Sequence, residues 1–230
     1  MKHFYLLAVA TLSFSIFAEE GRFGRDTNDY QYTSFGLSLI SAEDDGIALN
    51  ASLALPGPLY AVFERRADGV DLDTETYDKV VNSFRVGAHA GIVDILNSIS
   101  AKGITFSVEN FLDIYAEIGI KTTSLENDIN NFSEDDAQAN VIAGVRFGDS
   151  NAWEGKIFAD FSKESEVIYF RCPDGDVCTE QVSYVLNDET DRKFGAEAVF
   201  NMSKYSAVNF KVISSDVLDS SFEIGFRFTF

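Results

Sequence analysis

FEIGFRFTF, Phe222 to Phe230, places Phe222, Ile224, Phe226, Phe228 and Phe230 on one side of an extended chain and Glu223, Gly225, Arg227 and Thr229 on the other. Alternation with a period of two is the mark of a β-strand whose faces meet different surroundings. Five large apolar side chains on one face need a cover, which is a protein core in water or hydrocarbon in a bilayer. The opposite end of the chain bears on that choice. Lys2 and His3 precede an apolar run from Phe4 to Phe17, followed by Ala18 and the acidic Glu19 and Glu20. This layout predicts a cleaved export signal over residues 1–18. The run falls short of the roughly 20 apolar residues that a spanning helix needs.

Working back from the terminal strand, the chain repeats segments of alternating apolar and polar or small residues. Ten are readable: Tyr30 to Ser41, Gly46 to Leu55, Leu59 to Arg65, Ser83 to Ile92, Phe111 to Ile120, Asn140 to Phe147, Trp153 to Ser162, Lys193 to Asn201, Tyr205 to Ile213 and Ser220 to Phe230. The fourth is typical, with Phe84, Val86, Ala88, Ala90 and Ile92 alternating with Arg85, Gly87, His89 and Gly91. Connections differ in length from one end to the other. Pro56 to Pro58, Gly148 to Ala152 and Met202 to Lys204 are short, whereas Arg66 to Asn82, Lys121 to Ala139 and Lys163 to Arg192 are long. Ala42 to Asp45 and Val93 to Asn110 break the alternation, the latter with room for a short helix or for one more hairpin.

With the export signal, the alternating segments and the closing FEIGFRFTF, residues 30–230 resemble bacterial outer-membrane β-barrel proteins of the small OmpX-like and OmpA-like type, with ten strands as in omptins. The resemblance implies an all-β, antiparallel up-and-down transmembrane β-barrel of about ten strands, eight and twelve being the alternatives. It also implies location in the outer membrane, with residues 19–29 as a periplasmic N-terminal segment. Phe230 matches the carboxy-terminal signal that the barrel-insertion machinery reads in that family. The partners expected on this reading are that machinery and the outer-membrane lipid, lipopolysaccharide included. Tyr60, Trp153 and Tyr205, at strand starts on the inner side, are expected with Phe230 to form an aromatic girdle at the membrane surface.

Turning the apolar parity to lipid assigns a set of charged residues to the lumen. The cations are Arg85, Arg146, Lys156, Lys193, Lys211 and Arg227; the anions are Glu64, Asp113, Glu117, Asp160, Glu197 and Glu223, with Glu154 left over near the lower rim. A narrow, nearly neutral lumen is expected to be filled by ion pairs, because buried charges are tolerated when paired and costly when not. His89 falls in the same interior, within reach of Asp113 or Glu117, and is read as a satisfied histidine.

The net charge of −19 must then reside in the connections, in AEDD, DLDTETYD, LENDINNFSEDDA and the segment from Lys163 to Arg192. So acidic a chain is a poor partner for nucleic acid. The acidic loops serve solubility, or hold divalent cations, with Asp174 and Asp176 beside Gly175 as a calcium-like cluster that lacks the spacing of a full calcium loop. Cys172 and Cys178, in RCPDGDVCTE, are expected to form a local disulfide after export. Beyond the signal, His89 is the only histidine, and no Ser/His/Asp arrangement, phosphate-binding loop or HExxH run is present. No cofactor and no enzyme activity are expected. The function expected is structural or surface-interacting, with a porin-like channel as the alternative and a rim protease or lipase as the third class.

Overall fold

The computed structural model describes residues 30–42, 45–72, 75–99, 111–126, 131–133, 137–149, 151–163, 166–171, 180–185, 190–216 and 220–230. Ten of its strands form one closed antiparallel barrel: β1 (Ser34–Ser41), β2 (Gly46–Ala54), β3 (Leu59–Leu72), β4 (Glu75–Gly91), β5 (Leu112–Glu126), β7 (Gln138–Gly148), β8 (Trp153–Lys163), β11 (Thr190–Ser203), β12 (Ser206–Ser215) and β13 (Ser221–Thr229). Each pairs with its neighbour in sequence order around the ring, and β13 closes on β1 from Ser34 opposite Thr229 to Ser41 opposite Phe222. Three short strands, β6 (Asn131–Ser133), β9 (Glu166–Arg171) and β10 (Glu180–Val185), lie in the long connections. There β6 extends the pairing of β5, and β9 and β10 form a separate hairpin.

Two rims result. The terminal rim carries Tyr30, Phe230, the turn around Gly57, the turn after Gly148 and the helix α1 (Ile92–Ile99); the loop rim carries the long connections. Helix α1 occupies part of the long terminal-rim connection, so that connection hides no extra barrel hairpin within its described residues. On the terminal rim, Gly57 (φ 74°) and Gly148 (φ 104°) adopt left-handed backbone that a side chain would strain, which suits them to the tight turns there.

Followed from strand to strand, the register returns to β1 displaced by about twelve residues, which for ten strands about 4.8 Å apart gives a tilt near 40° and a radius near 10 Å. An interior of that width is filled by side chains. Three inward glycines make room for rings from the adjacent strand: Gly87 faces Tyr60, Gly144 faces Tyr115 and Gly195 faces Phe158, so closely that a Cβ at any of them would collide with the ring.

The faces segregate as the alternation demands. In β13, residues 222, 224, 226 and 228 are exposed and those between them are buried. The same holds around the ring, where Leu39, Phe63, Phe84, Ile118, Ile157 and Phe194 project outward as part of a continuous apolar belt. Such a belt is far beyond the few hundred Å² of contiguous apolar surface that a water-soluble monomer exposes. Inside, the buried residues are mostly polar, among them Arg85, Asp113, Arg146, Glu154 and Glu223.

The strands run longer than their alternation predicts. Most of Arg66 to Asn82, read as a loop, continues β3 and β4 as one long hairpin, because Glu64, Arg66 and Asp68 and then Lys79, Val81 and Ser83 keep the inward parity. The first barrel strand begins at Ser34 rather than Tyr30. Residues 30–32 leave the wall and enter the lumen.

Candidate functional site

The lumen at the terminal rim is closed by the chain's own tyrosines. Tyr30 leads into β1, and its hydroxyl donates to the carbonyl oxygens of Phe111 (2.9 Å) and Gly148 (2.8 Å), before β5 and at the end of β7. In the ring order β5 and β7 face β1 from the far side, so the segment leading back from Ser34 to Tyr30 crosses the mouth and the Tyr30 side chain ends on the opposite wall. Tyr32 stacks on His89 (4.0 Å between centroids) and lies 4.5 Å from the Tyr60 ring, and its hydroxyl donates to Asp113 Oδ2 at 3.2 Å. The Arg146 guanidinium lies over both rings, at 4.6 Å from Tyr30 and 5.2 Å from Tyr32, and donates to the Gln31 carbonyl at 3.1 Å. Burial raises the Tyr30 phenol to about 12, against a pull downward from Arg146, and raises Tyr32 further.

Above this stopper the ion pairs stack in layers. Glu154 is 1 % exposed and accepts from Arg146 Nε (2.9 Å) and Nη2 (2.5 Å), from Arg227 Nη2 (3.0 Å) and Nη1 (3.3 Å), and from Asn201 Nδ2 (3.0 Å). Parity had left Glu154 without a counterpart; in space it is the knot that holds two arginines. His89 Nδ1 lies 3.1 Å from Asp113 Oδ2, while Glu117 turns the other way, accepting from Arg85 Nε (2.7 Å) and from the Tyr60 hydroxyl (2.9 Å). Arg85 also donates to Glu64 at 2.9 Å and to Ser83 at 2.6 Å, so one guanidinium ties β3, β4 and β5 together. Asp160 accepts from Asn140 at 2.5 Å, and Lys156 meets Glu197 at 2.8 Å.

Towards the loop rim, Glu223 holds both Lys211 (2.7 Å) and Arg66 (3.0 Å), Lys79 reaches Asp68 at 3.4 Å, and Lys193 reaches Asp191 at 3.1 Å. Lys121 donates to Ser162 at 3.2 Å. Arg66, Lys79 and Lys121 thus add three cations to those assigned from parity, and Asp68, Asp191 and Glu154 supply three matching anions. Among the described residues the interior is electrically balanced.

Among the described residues the lumen holds two neighbouring cavities. One of about 190 Å³ lies above the stopper, lined by Gln31, Tyr32, Tyr60, Tyr115 and the ion pairs; one of about 120 Å³ lies nearer the loop rim, lined by Arg66, Asp68, Lys79 and Lys121 among others. Both are bounded by Glu64, Arg85, Asp160 and Ile213, a single layer of side chains.

Of the aromatic girdle, Trp153, Tyr205 and Phe230 are exposed at the terminal rim, but Tyr60 is 2 % exposed and points inward. Leu59 takes the outward position, so Tyr60 falls on the lumen parity and its hydroxyl serves Glu117. Cys172, Cys178, Asp174 and Asp176 lie outside the described residues. Read as the start of the first strand, Tyr30 and Tyr32 share the inward parity of β1, but alternation did not reveal that they leave the wall to close the mouth. By contrast Arg66, Asp68, Lys79 and Lys121 were discoverable by extending the parity of β3, β4 and β5 past their apolar stretches.

No protein-family model matches the chain, and no curated protein matches it. Among solved structures it is similar to the KdgM porin, at 8 % identity over 86 % of this chain and 99 % of that one, with a TM-score of 0.42. It is also similar to the NanC porin, at 9 % identity over 86 % and 99 % with a TM-score of 0.41. A third is the Ralstonia pickettii toluene transporter TbuX, at 9 % identity over 88 % and 90 % with a TM-score of 0.32.

Proposed function

We propose that this chain is a non-enzymatic β-barrel of the bacterial outer membrane whose lumen is closed by its own side chains and whose acidic loops make its contacts outside the cell. The observation that carries this reading is the inversion of an ordinary protein: an apolar exterior all round the ring, and an interior of paired charges crossed by Tyr30. Such a surface is stable only where lipid replaces water as the outer solvent. The terminal rim then faces the periplasm, with Trp153, Tyr205 and Phe230 at the membrane surface, Phe230 presented to the insertion machinery, and the loop rim outward among lipopolysaccharide and divalent cations. His89 is stacked and bonded to Asp113, which suits a structural residue better than a catalytic one.

The experiment joins two measurements on the refolded chain. Boiled and unboiled samples should differ in gel mobility, and loss of that difference would count against a closed barrel. In a planar bilayer the wild-type protein should show no steady conductance. Steady single-channel steps would instead favour the porin-like reading, which draws support from the two cavities lying on either side of one side-chain layer.

A further inference from the structure

We propose that the segment from Tyr30 to Tyr32 is a displaceable gate, and that the two cavities behind it are the path of a small polar solute once it withdraws. The inference rests on the barrel reading above and adds an activity that a permanently plugged barrel lacks.

The first support is electrical. Every charge that meets the stopper keeps a partner in the wall when the stopper is removed. Arg146 retains Glu154, which also holds Arg227, and Asp113 retains His89. The stopper itself contributes neutral tyrosines, so its departure leaves no buried charge unpaired, which is the event that makes most lumen rearrangements costly. The carbonyl oxygens of Phe111 and Gly148 that Tyr30 caps are at the rim, where water can replace the phenol.

The second support is mechanical. Residues 30–32 precede β1 and take no place in the strand ladder, which starts at Ser34 opposite Thr229 and Ser52. The barrel therefore closes fully without them. Thr33 marks the hinge: its carbonyl accepts from the Phe230 N–H at 3.2 Å and its hydroxyl from the Ala54 N–H at 3.1 Å, anchoring the chain to the wall just where the free segment begins.

The third support is what lies behind. The about 190 Å³ cavity takes part of its lining from Gln31 and Tyr32, so withdrawal opens it to the terminal rim. Glu64, Arg85, Asp160 and Ile213 line both that cavity and the second, so the two adjoin. Because the walls are balanced in charge, the path suits small uncharged or zwitterionic solutes and favours neither sign of ion.

The test is conductance of the full refolded chain in a planar bilayer, in potassium chloride, comparing the wild type with the double variant Tyr30→Ala with Tyr32→Ala. The double variant should raise the open fraction at least tenfold, with little preference between potassium and chloride, and should admit glycine into liposomes that the wild type does not swell. Heat-modifiable mobility is recorded on the same sample, so that a failure to form a barrel is told apart from a failure of the gate. Should the double variant not fold, Tyr30→Phe, which keeps the ring and loses both bonds to the far wall, replaces it and should raise brief openings. A folded variant that conducts no more than the wild type overturns the proposal, as does a wild type that already conducts at the variant's level.

Discussion

Replacing Glu154 by Gln should be among the most damaging conservative changes available in this barrel. The carboxylate is almost wholly buried and is the ion-pair partner of both Arg146 and Arg227. Glutamine keeps the shape and one acceptor oxygen but removes the charge, leaving Arg146 with the Gln31 carbonyl and Arg227 with Asn201 Oδ1. Breaking a buried pair by deleting one charge costs about 3–5 kcal/mol, and each 1.4 kcal/mol is about tenfold in the folded-to-unfolded ratio. A loss of a hundredfold or more is therefore expected. It would be read as the shift in urea midpoint of the refolded protein in detergent, with folded fraction taken from the unboiled gel band. Lys204→Gln at the exposed turn, where the ammonium covers the Tyr205 ring at 4.8 Å, should cost less than about 1 kcal/mol and serves as the reference. Adding Arg227→Gln to Glu154→Gln should give a total smaller than the two single losses combined, since the second change removes a charge already stranded. A single loss below about 1 kcal/mol, or strict additivity of the pair, would refute the view that Glu154 is the knot of this layer.

Phe226→Arg tests the outer solvent: Phe226 is 53 % exposed, so the change would be nearly neutral in water, whereas at mid-membrane it should cost about 2–4 kcal/mol by urea unfolding from lipid vesicles. Gly195→Val brings a Cβ into the Phe158 ring and should lower stability by about 1–3 kcal/mol, with much of the loss recovered by adding Phe158→Ala. Alkali should loosen the stopper. The Tyr30 phenol is raised from 10 to about 12 in the folded chain, so its contribution is whole below pH 10 and declines as pH rises toward 12, and ionisation followed by ultraviolet absorbance should come later in the wild type than in boiled protein.

How far the fold was legible follows from which rule each residue obeys. A strand between lipid and a polar lumen must alternate, and β13 does so without a break, so its parity transfers to its neighbours through the register. That is why all ten barrel strands were readable and why Arg85, Arg146 and Glu223 fell on the inner face. The reading stopped where the apolar signal stopped. Beyond Arg65 the outward residues of the long β3–β4 hairpin are no longer large and apolar, although pairing continues to Leu72 opposite Glu75. Tyr60 was misplaced because a tyrosine at a strand start suits either a membrane surface or a lumen. Only its offset of one residue from Leu59 decides between them. Glu154 looked unpaired because parity reports the face a residue shares and not the distance across a barrel, and its two arginines come from β7 and β13. The stopper was half legible: continued back from Phe35, Leu37 and Leu39, the parity of the first strand puts Tyr30 and Tyr32 on the lumen side, but alternation carries no sign that the chain leaves the wall before Ser34 or of the wall it will reach.

The balance of charge inside explains why the closing element is made of tyrosine. A lysine or glutamate inserted into this mouth would have to bring a countercharge with it, because Arg146, Glu154, Arg227, Asp113 and His89 already satisfy one another. A leucine would fill the space but take away the hydroxyl from which the Phe111 and Gly148 carbonyls and Asp113 now accept. Tyrosine supplies an uncharged ring large enough to bridge from β1 towards the far wall and a hydroxyl at its tip to donate there. The described lumen, its charges paired, accordingly accounts for little of the chain's net charge of −19. The terminal rim is thereby given a neutral, hydrogen-bonded closure that asks no countercharge of the wall.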